Sequence, residues 1–270
     1  MAGYPCAMSV RTAFEERGEG MVARITIDNP RKLNILDRAT LAQLVAAMRD
    51  VEGRERLRAV VLTGAGDRAF VGGAHVEELA ALDPAAAREF ISLVHEACAA
   101  MRACPVPVIA RINGHCIGAG LELAAACDLR IAAETATFAM PEVRLGIPSV
   151  VEAALLPRLI GAGRARWLVM TGDTIAAGEA LAWGLVERLA PPQRLDAAVD
   201  AALESILACG GAALRAQKRL CQLWEEAPLE ASVRASIDAF ARAYETSEPA
   251  QRIGAFRARR AQRGRSKSPQ

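Results

Sequence analysis

The sequence predicts an α/β fold with a helical C-terminal region, on three observations. Between residues 21 and 140, apolar runs of strand length alternate with stretches of helical apolar spacing. After Pro148 the pattern turns mostly helical. From Gly210 three amphipathic helical segments follow one another with no strand between them. The predicted organisation is a mixed core over residues 1–209 and a helical region over residues 210–270.

Taken in order, residues 1–20 read as an irregular start. MVARITIDNP (21–30) alternates in its second half and closes at Asn29-Pro30, as a strand meeting a turn does. Residues 36–53 carry apolar residues at helical spacing, with Asp37 early and Gly53 at the exit. RAVVLTGAG (58–66) is an unbroken apolar run ended by glycines, the pattern of a strand buried on both faces. Residues 83–104 start a helix beside Pro84 and stop it at Cys104-Pro105. PVPVIARING (105–114) is a second buried strand and feeds a helix inside NGHCIGAGLELAAACDLR (113–130). Residues 129–140 are again strand material, and GRARWLVMTG and AAGEALAWGLVERLA have helix-plus-turn character. No internal repeat of fixed period occurs.

With 270 residues, 52% hydrophobic and 24% charged, the chain can bury a large core in one domain with an appendage. Its 7 cysteines form no CxxC pair and no signal-peptide pattern opens the chain, so reduced thiols in a cytoplasmic protein are expected. No apolar run approaches the ~20 residues of a spanning helix, so the expectation is a soluble protein without a membrane partner. Of 33 basic and 31 acidic residues, seven basic and no acidic ones follow Pro249, leaving 26 against 31 in the body. Such a tail suits nucleic acid, a membrane surface or a phosphorylated ligand, and its end, RGRSKSPQ, reads as disordered.

Two glycine-bearing turns hold the chemistry. Gly118-Ala119-Gly120 opens a helix, but Leu123 stands where a dinucleotide fingerprint has its third glycine, and no Gly-Lys-Ser/Thr of a P-loop occurs. Free N–H groups at a helix start still attract a phosphate, or a carbonyl oxygen as it becomes an enolate. Gly72-Gly73-Ala74 follows a buried strand in the same way, and two such loops can pinch one oxygen between them. Glu122 lies among Leu121, Leu123 and Ala124, and Ala119, three residues earlier, has no side-chain acceptor for a capping box. Alone, Glu122 reads as a favourable charge at a helix start, and Glu142 as a glutamate after a proline. Jointly they read as two carboxylates able to hold and split a water. His95, mid-helix, and His115, in a turn, read as structural, and no His/Cys/Asp/Glu set has zinc spacing.

The motifs NPRKLNIL, AFVGGAHVEEL, PVPVIARINGHCIGAGLELAAACDLRIA, TFAMPEVRLGI, VMTGDTIAAGEALAWGLVERL and AFRARR follow in order from about residue 20 to 260. Together they resemble the enoyl-CoA hydratase/isomerase (crotonase) superfamily, closest to its enoyl-CoA hydratases. The resemblance implies a crotonase-like spiral of ββα turns with a helical C-terminal trimerisation region, in homotrimers often stacked as hexamers. It implies no metal and no redox cofactor, coenzyme A being part of an acyl-CoA thioester substrate. Carried over by position, the oxyanion donors are Ala74 and Ala119. Glu122 activates the water that adds to the β-carbon, and Glu142 orients it and delivers a proton to the α-carbon. Coenzyme A or substrate contacts fall on Arg31, Lys32, Leu33, Gly72, Gly73, His75, Val76 and Gly118. Phe256 and Arg259 match the aromatic and basic residues lent to a neighbouring subunit's coenzyme A.

The implied activity adds water across the 2,3 double bond of a 2-enoyl-CoA to give a 3-hydroxyacyl-CoA, as in fatty acid metabolism. Other family chemistries are isomerisation, CoA-ester hydrolysis and decarboxylation; a non-catalytic CoA- or RNA-binding relative is the further alternative. The tail lacks interleaved aromatics for base stacking, so nucleic acid is not the expected partner. There are three departures from the pattern. His75 replaces a usual aspartate, and reads as a helix-capping loop residue or as a polar contact to acyl group or coenzyme A. LGIPSVVEAALLPRLIG replaces a glycine-rich run that shapes the acyl pocket, so chain-length preference is not inherited. Met140 before Pro141 makes the water site more apolar. Leu220, Leu223, Trp224 and Phe240 offer more apolar surface than a terminal helix can hide, which predicts an oligomer.

Overall fold

The computed structural model describes residues 8–18 and 20–265. The chain divides into two compact units between Glu204 and Ser205. Ten strands belong to the first: β1 (Val10–Arg17), β2 (Gly20–Ile27), β3 (Leu57–Gly64), β4 (Ala69–Val71), β5 (Val108–Ile112), β6 (His115–Ile117), β7 (Leu129–Ala133), β8 (Thr137–Ala139), β9 (Thr174–Ala176) and β10 (Arg188–Ala190). They form a six-stranded sheet ordered β1-β2-β3-β5-β7-β10 and a four-stranded sheet ordered β4-β6-β8-β9.

The chain winds through both sheets in turns. β2 leads into α1 (Arg38–Glu52). β3 and β4 then place one strand in each sheet before α2 (Val76–Ala80) and α3 (Pro84–Ala103). β5 and β6 do the same before α4 (Ala119–Ala126), and β7 and β8 before the helical stretch α5 (Leu156–Ile160), α6 (Ala162–Thr171) and α7 (Ala177–Trp183). This is the ββα spiral. It has no sequence period because its turns differ in length, the first carrying the long α3. β2, β3, β5, β7 and β10 run parallel, and only one of β3's eight residues escapes full burial, as its unbroken apolar run predicts.

Side-chain caps open the two long helices of this unit. The Asp37 carboxylate accepts from Thr40 N–H at 2.7 Å to start α1, and Asp83 accepts from Ala86 N–H at 2.8 Å to start α3, with Pro84 in its first turn. The apolar faces of α1 and α3 pack on each other. β1 corrects the reading of residues 1–20 as irregular: Val10–Arg17 pairs antiparallel with β2 along its whole length. It is an edge strand with only Val10 fully buried, so it shows no apolar alternation. β9 and β10 lie in the stretch read as helical, and three residues are too few to show a period.

Two asparagines tie the turns together. Asn34, fully buried in the left-handed region (φ 55°), donates through Nδ2 to Ala65 O (2.9 Å) and Ala69 O (2.8 Å), while its Oδ1 accepts from Asn29 N–H (2.9 Å). Asn113 donates to Gly66 O (2.7 Å) and again to Ala69 O (3.0 Å). The loop entering β4 is thus held from both sides.

The second unit contains α9 (Gly211–Glu226), α10 (Leu229–Ala243) and α11 (Glu248–Arg265), and α8 (Leu195–Leu207) runs across the division. α9 and α10 pack together, and Glu248 caps α9 by accepting from the N–H groups of Ala212 and Ala213, both at 3.0 Å. The expected disorder of RGRSKSPQ falls mainly on residues 266–270, outside the described residues. Among those described, no single helix is long and apolar enough to cross a membrane. Replacing Asn34 by alanine leaves buried carbonyls and an N–H short of partners, and is predicted to cost about 2–3 kcal/mol in chemical denaturation. A loss below about 0.5 kcal/mol would contradict the bracing role.

Candidate active site

β4, β6 and β8 lie side by side in parallel, with Val71 paired to Cys116, Cys116 to Phe138 and Ile117 to Ala139. Parallel neighbours release their following loops at the same edge, where ligand sites of parallel sheets collect. The segments that follow these strands therefore meet around one cavity of about 680 Å³, whose lining does not include His75. Gly72, Gly73, Ala74, Val76, Gly118, Ala119, Glu122 and Glu142 line it, and Leu79, Phe90, Val94, Leu145 and Ile147 extend it as an apolar pocket.

Local backbone geometry sets the two N–H donors. Leu36 N–H donates to Gly73 O and His75 N–H to Leu36 O, both at 2.8 Å, a one-residue parallel bridge around Ala74. Successive N–H groups of extended chain alternate in direction, so Ala74 N–H points away from Leu36. Ala119 is the first residue of α4, and its N–H has no acceptor within the helix. Its N-cap, Gly118, has no side chain to satisfy the helix start. Gly118 is needed in another sense: at φ 53° and ψ −122° a Cβ there would lie 2.5 Å from Glu142 Oε1. A Cβ on Gly120 would meet Val71 O at 2.5 Å, so this glycine lets α4 press against β4 and brings the two donor loops together.

Every residue of α4 is buried, and Glu122 is only 4% exposed. Its carboxyl accepts from Ala153 N–H, yet its pKa is pushed up to about 8. Burial is the main cause, the charge of Glu142 comes next, and that of Glu152 adds to both. Near neutral pH Glu122 therefore holds a proton. Glu142 begins the 3-10 turn Glu142–Leu145, which Gly146 closes in the left-handed region (φ 78°). Its Oε2 accepts from Ser149 Oγ at 2.7 Å.

The remaining predicted residues divide by location. His75 caps α2, its Nδ1 accepting from Glu78 N–H at 3.3 Å, and this is the helix-capping alternative. Arg31 and Lys32 are exposed on the 3-10 turn Pro30–Lys32, and Leu33 O accepts from Gly72 N–H at 2.8 Å, tethering that basic turn to the cavity rim. Phe256 and Arg259 are exposed on α11, in the second unit. His115 Nδ1 lies 2.8 Å from Thr137 Oγ1, outside the cavity lining. Sequence reasoning passed over Ser149, Glu152 and the Ala153 N–H. All three lie in PSVVEA, within the segment that replaces the glycine-rich run, and that replacement was the available signal. Among the described residues no group of three or more His, Cys, Asp or Glu converges as a metal site would.

The pattern of the enoyl-CoA hydratase/isomerase family matches residues 17–263. The chain is 33% identical over 239 residues to a short-chain-enoyl-CoA hydratase of Clostridium acetobutylicum, covering 88% of this chain and 92% of that protein. It is 35% identical to a crotonyl-CoA hydratase of Syntrophomonas wolfei, with the same coverage. The crystal structure of an enoyl-CoA hydratase from Bacillus anthracis superposes with a TM-score of 0.87 at 32% identity, covering 92% of this chain and 96% of that one. With the ββα spiral and the paired carboxyls at the edge of its smaller sheet, the chain belongs to the enoyl-CoA hydratase/isomerase family.

Proposed function

We propose that this protein is an enoyl-CoA hydratase, adding water to a short-chain 2-enoyl-CoA to give the 3-hydroxyacyl-CoA. One observation carries the reading: the carboxyl-bearing residues Glu122 and Glu142 line the same cavity as the Gly72-Gly73-Ala74 and Gly118-Ala119 turns. The thioester oxygen lies between Ala74 N–H and Ala119 N–H, where charge develops as the enolate forms. Each such donor is worth about 2.7–4 kcal/mol in the transition state. Water lies between Glu122 and Glu142. Its oxygen bonds to the β-carbon, one of its protons passes to a carboxylate, and a carboxyl proton passes to the α-carbon. The pair ends with the proton number it began with. The resemblance assigns water activation to Glu122 and proton delivery to Glu142. Because the resting proton sits on Glu122, that order requires the proton to cross to Glu142 through the bound water.

The exposed, tethered turn with Arg31 and Lys32 supports contact with the coenzyme A phosphates, and the chemistry calls on no group beyond the substrate's own coenzyme A. The names of the two bacterial relatives support a short acyl chain. On the second unit, Trp224, Leu229, Ile237 and Phe240 are exposed around an apolar hollow, which supports a homotrimer or a dimer of trimers. In that assembly Phe256 and Arg259 reach a neighbour's coenzyme A. Among the described residues Cys98, Cys104, Cys116, Cys127, Cys209 and Cys221 form no disulfide, which supports a cytoplasmic location.

Glu122→Gln and Glu142→Gln are each predicted to lower kcat on crotonyl-CoA by ~10²–10⁴, followed as loss of the conjugated thioester absorbance. Full turnover by either variant would overturn the mechanism.

The pH dependence has a defined sign. The unfolded chain ionises Glu122 near its ordinary value of 4.5, whereas the folded chain keeps it protonated to about 8. Between those values the folded state binds more protons. Its stability is therefore predicted to fall as pH rises, by up to ~1.4 kcal/mol per unit, and Glu122→Gln to flatten that slope. In parallel kcat/KM falls on the alkaline side near pH 8. In light scattering the protein is predicted to have three or six times the chain mass, and a monomer would contradict the assembly.

A further inference from the structure

Close to Glu122, on a turn packed against α4 and not among the residues lining the cavity, lies a second buried carboxylate. Glu152 sits in the 3-10 turn Val151–Leu155, and its side chain is 9% exposed. His95 Nδ1, on α3, lies 2.8 Å from Glu152 Oε1, its ring N–H donating. Glu152 Oε2 has no hydrogen-bond partner among the described residues. Beyond His95 the Glu152 carboxylate meets the Cys98 thiol, a weak donor, and such thin pairing is costly for a buried carboxylate where only packing is at stake. The backbone that delivers it is strained as well. Val151 is β-branched and adopts φ 39°, a region such residues rarely enter. That twist turns Glu152 inward and leaves the next N–H, of Ala153, on the Glu122 carboxyl.

The groups around Glu122 can be named element by element. The turn Glu142–Leu145 contributes Glu142, and the Val151–Leu155 turn Glu152. α3 contributes Cys98, whose thiol is pushed well up by burial and then by the charges of Glu152 and Glu122. The far end of α4 meets Arg130, which donates to Cys127 O (2.8 Å) and pairs with Glu187. Negative charge thus collects on the Glu122 side, while the Arg130 cation at the other end of the helix is already paired with Glu187.

We infer that Glu152, held in place by His95, is a third carboxylate of the site, a positioning residue that keeps the proton on Glu122. This deepens the hydratase reading and rests on it. Glu122 and Glu142 both line the cavity and exchange protons with water. Glu152 is not among the residues that line it, and its place beside Glu122 favours the proton on Glu122 in the resting site, before substrate binds.

The test is an infrared titration of the protonated carboxyl band that Glu122→Gln removes, made on wild type, Glu152→Gln and Glu152→Asp, alongside the pH profile of kcat/KM on crotonyl-CoA. Glu152→Gln is expected to lower the midpoint of that band by roughly half a pH unit or more, and the alkaline limb of kcat/KM with it. Glu152→Asp retains the charge and is expected to keep the wild-type midpoint. An unmoved midpoint in Glu152→Gln, or equal displacement by Gln and Asp, would overturn the inference. If Glu152→Gln does not fold, His95→Ala frees the carboxylate from its exposed side; a displaced midpoint supports the inference and an unchanged one overturns it. The infrared readout needs no substrate. A wild-type protein that hydrates no enoyl-CoA would therefore sink the hydratase reading, while the titration still decides the role of Glu152.

Discussion

Everything at the site depends on the parallel pairing of three very short strands, β4, β6 and β8. None exceeds three residues, so none contributes much stability alone. Their value is directional. Parallel neighbours send their next residues over one edge, which places Ala74, Ala119, Glu122 and Glu142 around one volume although they are up to 68 residues apart in sequence. Antiparallel pairing would send alternate loops to opposite ends and separate the donors from the acids. The larger sheet, the asparagine braces and the packing of α1 on α3 hold these short strands in register.

The second constraint is electrostatic and follows from the first. A helix that starts at the edge of a buried sheet and is apolar on every side has no wet face, so Glu122 is carried into the core with it. A lone carboxyl in such surroundings favours its neutral form. Putting Glu142 in the same cavity strengthens that preference, since two like charges resist sharing a small dry volume. In the proposed reaction the pair serves as acid and base. The same low dielectric would strengthen backbone donors on a thioester oxygen, so burial would serve both halves of that reaction.

Much of this was legible in the residues. Long apolar runs identified β3 and β5, helical spacing with an early Asp37 or with Pro84 identified α1 and α3, and the glycines identified both turns at the cavity. These signals are local, and the physics that makes them is local. β1 escaped because an edge strand with charge on both faces has no apolar period, and β9 and β10 because they are too short to have one. At the site, Glu122 and Glu142 could be paired only by supposing the fold, since either alone is an ordinary glutamate. Ser149, Glu152 and the Ala153 N–H act through contacts across the fold, set by a strained turn at Val151 that no propensity favours. What marked them was the replacement of a glycine-rich run.

The central claim is that Ala74 N–H and Ala119 N–H converge on one oxygen while the two glutamates flank the carbon that receives water. A crystal structure of the protein with a bound 3-ketoacyl- or enoyl-thioester of coenzyme A tests this most directly. The account predicts the thioester oxygen ~2.7–3.1 Å from both backbone nitrogens, with the β-carbon facing the space between Glu122 and Glu142. A thioester oxygen bonded to neither nitrogen, with the acyl chain running away from both carboxyls, would contradict it.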